Sequence, residues 1–157
     1  MKITIVGAGG IGRFFGGMLG RGGHEVIFLE KDPQIVSVLN EKGVQFIKIG
    51  DKGSDVYLTA EVRATTDPGD LETCDLIILA VKGYTTASAT KNIAHLITDH
   101  SPILTVQTGI GNIETMSKIT NRSNILGGVT YHGATSLHGS KVRHAGSGET
   151  IIGELNG

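Results

Sequence analysis

The spacing of apolar residues over the first thirty positions predicts a strand, a helix and a second strand in close succession. Residues 3–6 are a short apolar, β-branched run ending at Gly7, which is typical of a buried parallel strand. Residues 25–29 form a second such run, after Gly22-Gly23. Between the two, apolar residues recur with the spacing of one helix face, at Ile11, Phe14, Phe15, Met18 and Leu19. We therefore predict a βαβ unit with a right-handed crossover.

Downstream, similar patterns predict further strands and helices. Asp32 and Pro33 are typical of an N-cap and a first helical residue, and Gly43 is expected to end the helix that follows. Residues 44–49 and 56–62 have the pattern of two hairpin strands with a turn at 50–53. The remaining predicted elements are a central strand at 76–81, a helix at 84–98, a strand at 102–106, a helix marked by Ile113, Met116 and Ile119, and a strand at 124–129.

The chain changes character at Thr130, because glycines then punctuate short β-prone pieces without helices between them. Residues 142–145 and 149–153 are expected to form antiparallel hairpin strands at the edge of the sheet. The whole pattern predicts an α/β fold of Rossmann type, a doubly wound and mainly parallel sheet with helices on both faces and an antiparallel edge hairpin near the C-terminus. At 157 residues, the length suits one domain.

Composition and charge narrow the classes of partner. Hydrophobic residues make up 39% of the chain and the formal net charge is −1. Since the sequence has no basic stripe, nothing in it favours nucleic-acid binding. Its longest apolar run, residues 76–81, is far too short to span a membrane. Cys74 is the single cysteine, which excludes an internal disulfide and suggests a buried, inert thiol. We expect a cytoplasmic protein.

The segment Gly7-Ala8-Gly9-Gly10-Ile11-Gly12 has the GxGxxG spacing of a dinucleotide-binding turn. In a chain with 24 glycines that spacing alone means little, but here it follows a predicted strand and opens a predicted helix. Gly7 would allow the tight turn, Gly9 the approach of a pyrophosphate, and Gly12 the close packing of helix on sheet. The free N–H groups and the helix dipole favour phosphate at this point. Residues 1–157 are therefore expected to be a dinucleotide-binding domain.

Glu30 stands at the end of the second predicted strand, eighteen residues after Gly12. A carboxylate there accepts hydrogen bonds from the adenosine ribose and repels a 2′-phosphate. The expected cofactor is NAD(H) or NADP(H), with a preference for NAD(H). Lys31 and Arg63 leave an alternative open, because either is a candidate contact for the phosphate of NADP(H).

Three histidines recur every six residues, at 132, 138 and 144. This step does not match the usual spacings of metal ligands, and neither a carboxylate nor a cysteine joins them. We predict no metal site and interpret these histidines as solvated or packed in a hairpin.

Several segments together carry a resemblance to a known family. They are the glycine turn, the strand ending Ala80-Val81-Lys82, and the stretches Gln107-Thr108-Gly109-Ile110-Gly111-Asn112, Gly128-Val129-Thr130-Tyr131-His132-Gly133-Ala134 and Ile151-Ile152-Gly153. In their order and spacing the chain resembles the N-terminal NAD(P)-binding domain of the ketopantoate reductase (2-dehydropantoate 2-reductase) family. That family reduces 2-dehydropantoate, a small 2-oxoacid, to pantoate on the route to pantothenate and coenzyme A.

The resemblance implies roles for individual residues. Residues 7–12 would hold the pyrophosphate, Lys82 would contact the cofactor near the cleft, and Ala134 would lie beside the nicotinamide. Thr108-Gly109 stands where the family usually has Asn-Gly, so one amide contact to cofactor and substrate would be lost or replaced. The strand end is often basic in the family, whereas this chain has Glu30.

The family's catalytic lysine and its substrate-binding residues belong to a C-terminal helical domain, which this sequence does not contain. We therefore assign no catalytic residue within the chain, leave Lys82 an electrostatic role, and expect the chain alone to be catalytically incomplete. A partner domain or self-association would cover the apolar surface of such a domain. Two alternatives stay open: an NAD(H)-sensing regulatory domain, and the cofactor domain of another 2-oxoacid or hydroxyacid reductase.

Overall fold

The computed structural model describes residues 1–50 and 53–155, which form two sheets and four α-helices. The strands are β1 (Lys2–Val6), β2 (Glu25–Leu29), β3 (Val44–Gly50), β4 (Gly53–Ala60), β5 (Arg63–Thr65), β6 (Leu76–Leu79), β7 (Ile103–Thr105), β8 (Ile125–Thr130), β9 (Gly133–Ser136), β10 (Lys141–Gly146) and β11 (Thr150–Glu154). The helices are α1 (Gly10–Arg21), α2 (Pro33–Lys42), α3 (Thr86–Asn92) and α4 (Asn112–Met116).

The main sheet has seven strands in the order β11-β8-β7-β6-β1-β2-β5. All are parallel except β11, which pairs antiparallel with β8 from Thr150↔Thr130 to Glu154↔Leu126. The chain leaves β1 toward β2 on one side and later returns to β6 on the other. This change of direction at β1 is the switch point beside which open α/β sheets bind their ligands.

Alternation along the strands divides the core between the two faces of the main sheet. Ile3, Ile5 and Ile78 face a cluster that includes Phe14 of α1 and Leu39 of α2. Ile77 and Leu79 face the other way, onto a cluster that also contains Ile93, Leu96, Ile103, Met116 and Ile125. Both faces are therefore covered, which is the reason that these strands are apolar at nearly every position.

The second sheet, in the order β4-β3-β10-β9, covers the side of α1 that faces away from the main sheet. A methyl group placed on Gly16 would collide with Phe28 of β2, whereas one on Gly17 would lie 2.6 Å from the ring of Phe46 of β3. The helix thus packs between two sheets, and adjacent glycines let both approach. For this reason Met18, on the predicted buried face, is 47% exposed, while Arg13 is 2% exposed.

The predicted hairpin of 142–145 with 149–153 was wrong in its pairing, although the antiparallel edge itself is confirmed. β10 joins the second sheet, antiparallel to β9 and parallel to β3. β11 returns alone to the edge of the main sheet. Strand alternation indicates where β-structure occurs, but long-range pairing decides which sheet a strand enters.

Other element boundaries also differ from the sequence prediction. The edge strand β5 lies beyond the strand predicted at 56–62 and was itself not predicted. The helix expected over 84–98 contains α3, with a 3₁₀ turn on either side, and α4 ends at Met116 instead of reaching Ile119. Residues 51 and 52 of the predicted hairpin turn lie outside the described residues. None of the helices in the described part of the chain combines the length and apolar character that crossing a membrane requires.

Candidate functional site

Parallel pairing brings most of the predicted site residues to one edge of the main sheet. Gly7 directly follows β1, Glu30 directly follows β2 and Lys82 lies three residues after the end of β6, and all three strands run in the same direction. β7 leads into Thr108-Gly109, and β8 leads through a short connection to Ala134. Residues far apart in sequence therefore meet at the carboxyl edge, where ligands of such sheets bind.

The glycine turn has the geometry that its spacing predicts. Gly7 adopts a φ of +98°, which favours glycine, and its N–H donates to the carbonyl oxygen of Leu29 at 2.9 Å. A methyl group on Gly12 would collide with the carbonyl oxygen of Gly7, and one on Gly10 would collide with that of Ala134. Gly9 differs, since a methyl group there would meet nothing within 4 Å. Three of these glycines therefore serve packing or turn geometry, and Gly9 borders open space.

The N terminus of α1 is chemically suited to an anion. Among the described residues no side chain caps it, and its first turn carries no acidic residue. The N–H groups of a first helical turn have no partner within their own helix. They point, with the positive end of the helix dipole, toward the space beside Gly9. A phosphate group fits this arrangement.

The Glu30 carboxylate lies directly beside the glycine turn. One of its oxygens accepts a hydrogen bond from the N–H of Ala8 at 2.8 Å, and the other accepts from the N–H of Asp32 at 3.1 Å. Asp32 in turn caps α2 by accepting from the N–H of Gln34 at 2.9 Å, as predicted. The carboxylate is thus held in one orientation by the backbone, and each oxygen keeps acceptor capacity for a further donor.

A cleft of about 300 Å³ lies between the ends of β1, β2 and β6. Its lining combines apolar side chains with polar and charged ones. The lining residues are Val6, Gly7, Gly9, Leu29, Glu30, Lys31, Ala80, Val81, Lys82, Tyr84, Thr85, Ser88, Ala89 and Asn92. Lys82 is exposed at the rim. The cleft has the size and character of a small-molecule site.

The loop after β7 carries Thr108 and Gly109, and both are exposed. Gly109 and Gly111 adopt φ values of +99° and +90°, so the loop depends on glycine at these two positions. Three polar residues beneath it, Thr86, Gln107 and Asn112, are joined by hydrogen bonds of 2.9 and 3.0 Å. Sequence reasoning assigned no role to Thr86. The available signal was the pair of threonines four residues apart, Thr86 and Thr90, which are the buried residues of α3.

Arg13 is a second residue whose position the sequence did not predict. Its Nη1 donates to the carbonyl oxygens of Leu137 and Lys141, both at 3.1 Å, and this ties the β9–β10 turn to α1. Within the described part of the chain its Nε has no hydrogen-bond partner. Burial lowers the pKa of Arg13, and the charge of Glu30 acts in the opposite direction.

Two other groups of predicted residues lie away from the cleft. Arg63 sits at the start of β5, 3.9 Å from Glu25 at the amino end of β2, and thus at the opposite edge from Glu30. This position removes Arg63 as the alternative phosphate contact. His132 and His144 form a hydrogen bond of 3.1 Å and pack on the ring of Phe14, whereas His138 is exposed. Across residues 1–50 and 53–155, no group of three or more metal-ligating side chains occurs.

A doubly wound parallel sheet, a glycine turn opening its first helix and an acidic residue at the end of the second strand define a Rossmann-type dinucleotide-binding domain. Comparison with known proteins identifies the family to which this domain belongs. The family model described as "Ketopantoate reductase PanE/ApbA" matches residues 3–157, and the chain belongs to this family.

Individual relatives agree with this assignment. The chain is 39% identical over 153 residues to the 2-dehydropantoate 2-reductase of Pyrococcus abyssi, covering 98% of this chain and 47% of that protein. The enzyme of the same name from Halobacterium salinarum is 32% identical over 157 residues, and the match covers 100% of this chain and 50% of that protein. The chain therefore spans about half the length of the curated relatives it matches.

Solved structures show the same similarity. A PanE/ApbA family ketopantoate reductase from Ralstonia eutropha JMP134 is 30% identical, with a TM-score of 0.83 over 97% of this chain and 49% of that one. A D-mandelate dehydrogenase solved with NADH and anilino(oxo)acetate is 29% identical, with a TM-score of 0.85 over 99% of this chain and 49% of that one. Similarity at this level thus extends to a hydroxyacid dehydrogenase.

Proposed function

We propose that this chain binds a nicotinamide dinucleotide across the carboxyl edge of the main sheet, as part of a 2-dehydropantoate 2-reductase. The observation that carries the proposal is the juxtaposition of an uncapped α1 N terminus, open space at Gly9 and the cleft bordered by Glu30 and Lys82. The pyrophosphate would lie at residues 7–12, where backbone N–H groups and the helix dipole favour its charge.

The cleft suits the adenosine end of the cofactor. Leu29, Val81 and Ala89 supply apolar surface for a flat base, and Ser88 and Asn92 supply polar groups at the rim. Glu30 borders the same cleft with acceptor capacity for the ribose hydroxyls. From there the dinucleotide would extend over β1 toward β7, and its nicotinamide end would lie near Thr108, Gly109 and Ala134.

A bound nicotinamide cofactor supplies or accepts a hydride. Reducing a 2-oxo group leaves negative charge on the former keto oxygen, which needs a proton donor or a fixed positive group. Lys82 lies at the cleft rim, shortly after the end of β6, and its side chain is exposed. We assign it an electrostatic role toward the cofactor and propose that a second domain or a partner chain supplies the proton donor and the substrate pocket.

We further propose a preference for NAD(H) over NADP(H). The Glu30 carboxylate, held by the N–H groups of Ala8 and Asp32, would accept hydrogen bonds from the ribose and repel a 2′-phosphate. Lys31 borders the same cleft and opposes this preference, because its charge would attract a 2′-phosphate.

Calorimetric titration of the purified chain with NADH and with NADPH tests both proposals. We expect saturable binding of NADH that is at least about tenfold tighter, because a hydrogen bond to a charged acceptor contributes about 1.5–3 kcal/mol. Glu30→Ala should remove that preference. Glu114→Ala, on the exposed side of α4, is the matched control and should leave both affinities unchanged.

The possible outcomes separate the two parts of the proposal. Tighter binding of NADPH would overturn the role of Glu30 and assign the phosphate to Lys31. Binding of neither cofactor would contradict the assignment of the cleft itself.

A reductase assay tests whether this chain needs the proposed second domain or partner chain for turnover. With NADH and 2-dehydropantoate, the chain alone is expected to show negligible turnover despite binding cofactor. The similarity to D-mandelate dehydrogenase makes the cofactor domain of another hydroxyacid reductase the second candidate. The 2-oxoacid corresponding to mandelate should therefore be assayed in parallel, and ordinary turnover of either substrate would show that the chain is catalytically complete.

A further inference from the structure

We infer that Thr86 and Asn112 are positioning residues for the nicotinamide half of the cofactor site, an inference that rests on the proposed function. The two loops concerned are the segment from Val81 to Thr86, after β6, and the segment 107–112, after β7. A buried set of hydrogen bonds joins them. Thr86 is 0% exposed and Asn112 is 8% exposed, so neither side chain is available to solvent.

The hydrogen bonds in this set have a single consistent direction. The amide nitrogen of Asn112 donates to the carbonyl oxygens of Thr108 at 3.2 Å and Gly109 at 3.3 Å, so its oxygen must face Thr86. The Thr86 hydroxyl donates to that oxygen at 3.0 Å. The same hydroxyl accepts from the amide nitrogen of Gln107 at 2.9 Å. Each group thus uses its hydrogen-bonding capacity without conflict.

Gln107 closes the connection to the other loop. Its amide nitrogen also donates to the carbonyl oxygen of Val81 at 2.8 Å, directly before Lys82. Its oxygen accepts from the Thr105 hydroxyl at 3.1 Å, which holds the side chain at the end of β7. A continuous set of hydrogen bonds therefore runs from the residue preceding Lys82 to the carbonyl oxygens of Thr108 and Gly109.

Close packing restricts Asn112 further. A methyl group on Gly83 would lie 3.3 Å from its side-chain oxygen, so the amide fits directly against the backbone that follows Lys82. The exposed residues Thr108 and Gly109 do not line the cleft, and their placement depends on the hydrogen bonds from Asn112. A polar set of this kind holds one loop geometry only while all of its members are satisfied.

Thr86→Val is the test, with Thr86→Ser as the matched control. Valine keeps the shape and removes the hydroxyl, which leaves the Asn112 oxygen without its donor, while the Gln107 bond to Val81 can remain. Titrations with NADH and with ADP are compared, because ADP reaches the glycine turn and Glu30 but not loop 107–112. We expect Thr86→Val to weaken NADH binding by about tenfold or more, because the displaced loop would lose about one hydrogen bond or more to the nicotinamide half. ADP affinity should stay within about twofold of the parent chain, and Thr86→Ser should restore NADH binding.

Asn112→Ala provides an independent variant. It releases the carbonyl oxygens of Thr108 and Gly109 without touching Val81, and should show the same selective loss of NADH. Equal loss of NADH and ADP, unchanged binding of both, or unfolding of both variants would overturn the inference. Failure of the parent chain to bind either nucleotide would instead contradict the proposed function, so the two failures are distinguishable.

Discussion

At the scale of single residues, the glycines of the turn fall into different physical classes. Gly12 lacks room for a methyl group, because one placed there would collide with the carbonyl oxygen of Gly7 and lie 3.4 Å from the Ala80 side chain. Gly9 has room and a φ of −72°, which any residue adopts. Substitution by alanine should therefore lower the stability of the fold at Gly12 and weaken ligand binding at Gly9.

We predict that Gly12→Ala lowers the free energy of unfolding by about 1–3 kcal/mol, as overpacking does. Gly9→Ala should leave it within about 0.5 kcal/mol and weaken NADH binding, because the methyl group would occupy space needed by the pyrophosphate. Urea unfolding and calorimetry of both variants are the measurements. A Gly9→Ala variant that binds NADH like the parent chain would place the pyrophosphate elsewhere.

A second prediction at the scale of single residues concerns the contribution of Arg13 to stability. Arg13→Met removes the donor to the carbonyls of Leu137 and Lys141, and we expect it to cost about 1–3 kcal/mol of stability. Burial lowers the pKa of Arg13 below its ordinary value, so the folded state disfavours its charged form. That penalty is fully present below the lowered pKa and is relieved only as the pH rises through it toward the ordinary pKa of arginine. The difference between parent and variant should therefore be constant from about pH 5 to 9, and a marked change over this range in urea titrations would contradict it.

At the scale of elements, the short edge strand β5 is held by a side chain as well as by β2. The Asn40 amide of α2 donates to the carbonyl of Ala64 at 2.9 Å, and its oxygen accepts from the N–H of Ala64 at 2.8 Å. The side chain thus satisfies the backbone groups that an edge strand otherwise leaves open. We predict that Asn40→Ala lowers the free energy of unfolding by about 1–2 kcal/mol and increases self-association.

Thermal unfolding and sedimentation measure the two effects of Asn40→Ala. Gln34→Ala, an exposed position on the same helix, is the matched control and should stay within about 0.5 kcal/mol of the parent. If Asn40→Ala and Gln34→Ala change stability and self-association equally, the hydrogen bonds between Asn40 and Ala64 do not stabilise the edge strand.

At the scale of the whole molecule, cofactor binding and folding are linked. A ligand that binds only the folded chain at about 100 times its Kd stabilises it by about 2.7 kcal/mol. For a chain of this length that corresponds to a rise in Tm of about 5–11 °C. Differential scanning fluorimetry with NADH should show this rise and adenosine a much smaller one, because adenosine lacks the pyrophosphate. Equal shifts would indicate that the glycine turn does not contribute to binding.

The sequence by itself determined the elements whose information is local. The βαβ unit, the N-cap at Asp32, the glycine turn and the acidic residue at the end of β2 depend on neighbouring residues, so their patterns predict them. Parallel strands also made it predictable that Gly7, Glu30, Lys82 and Thr108 share one edge of the sheet, because that follows from strand direction alone.

Only the tertiary structure decided which strands pair and which side chains are buried between layers. Strand alternation is the same whether β10 joins the main sheet or the second one, and a helix packed on two sides has no single apolar face. That ambiguity is the reason that the burial of Arg13 and the exposure of Met18 were not predicted. The distance of Arg63 from the cleft follows instead from the pairing of β5 with β2. The connection between Thr86 and Asn112 likewise requires two loops 26 residues apart to be placed in contact, and long-range packing alone does this.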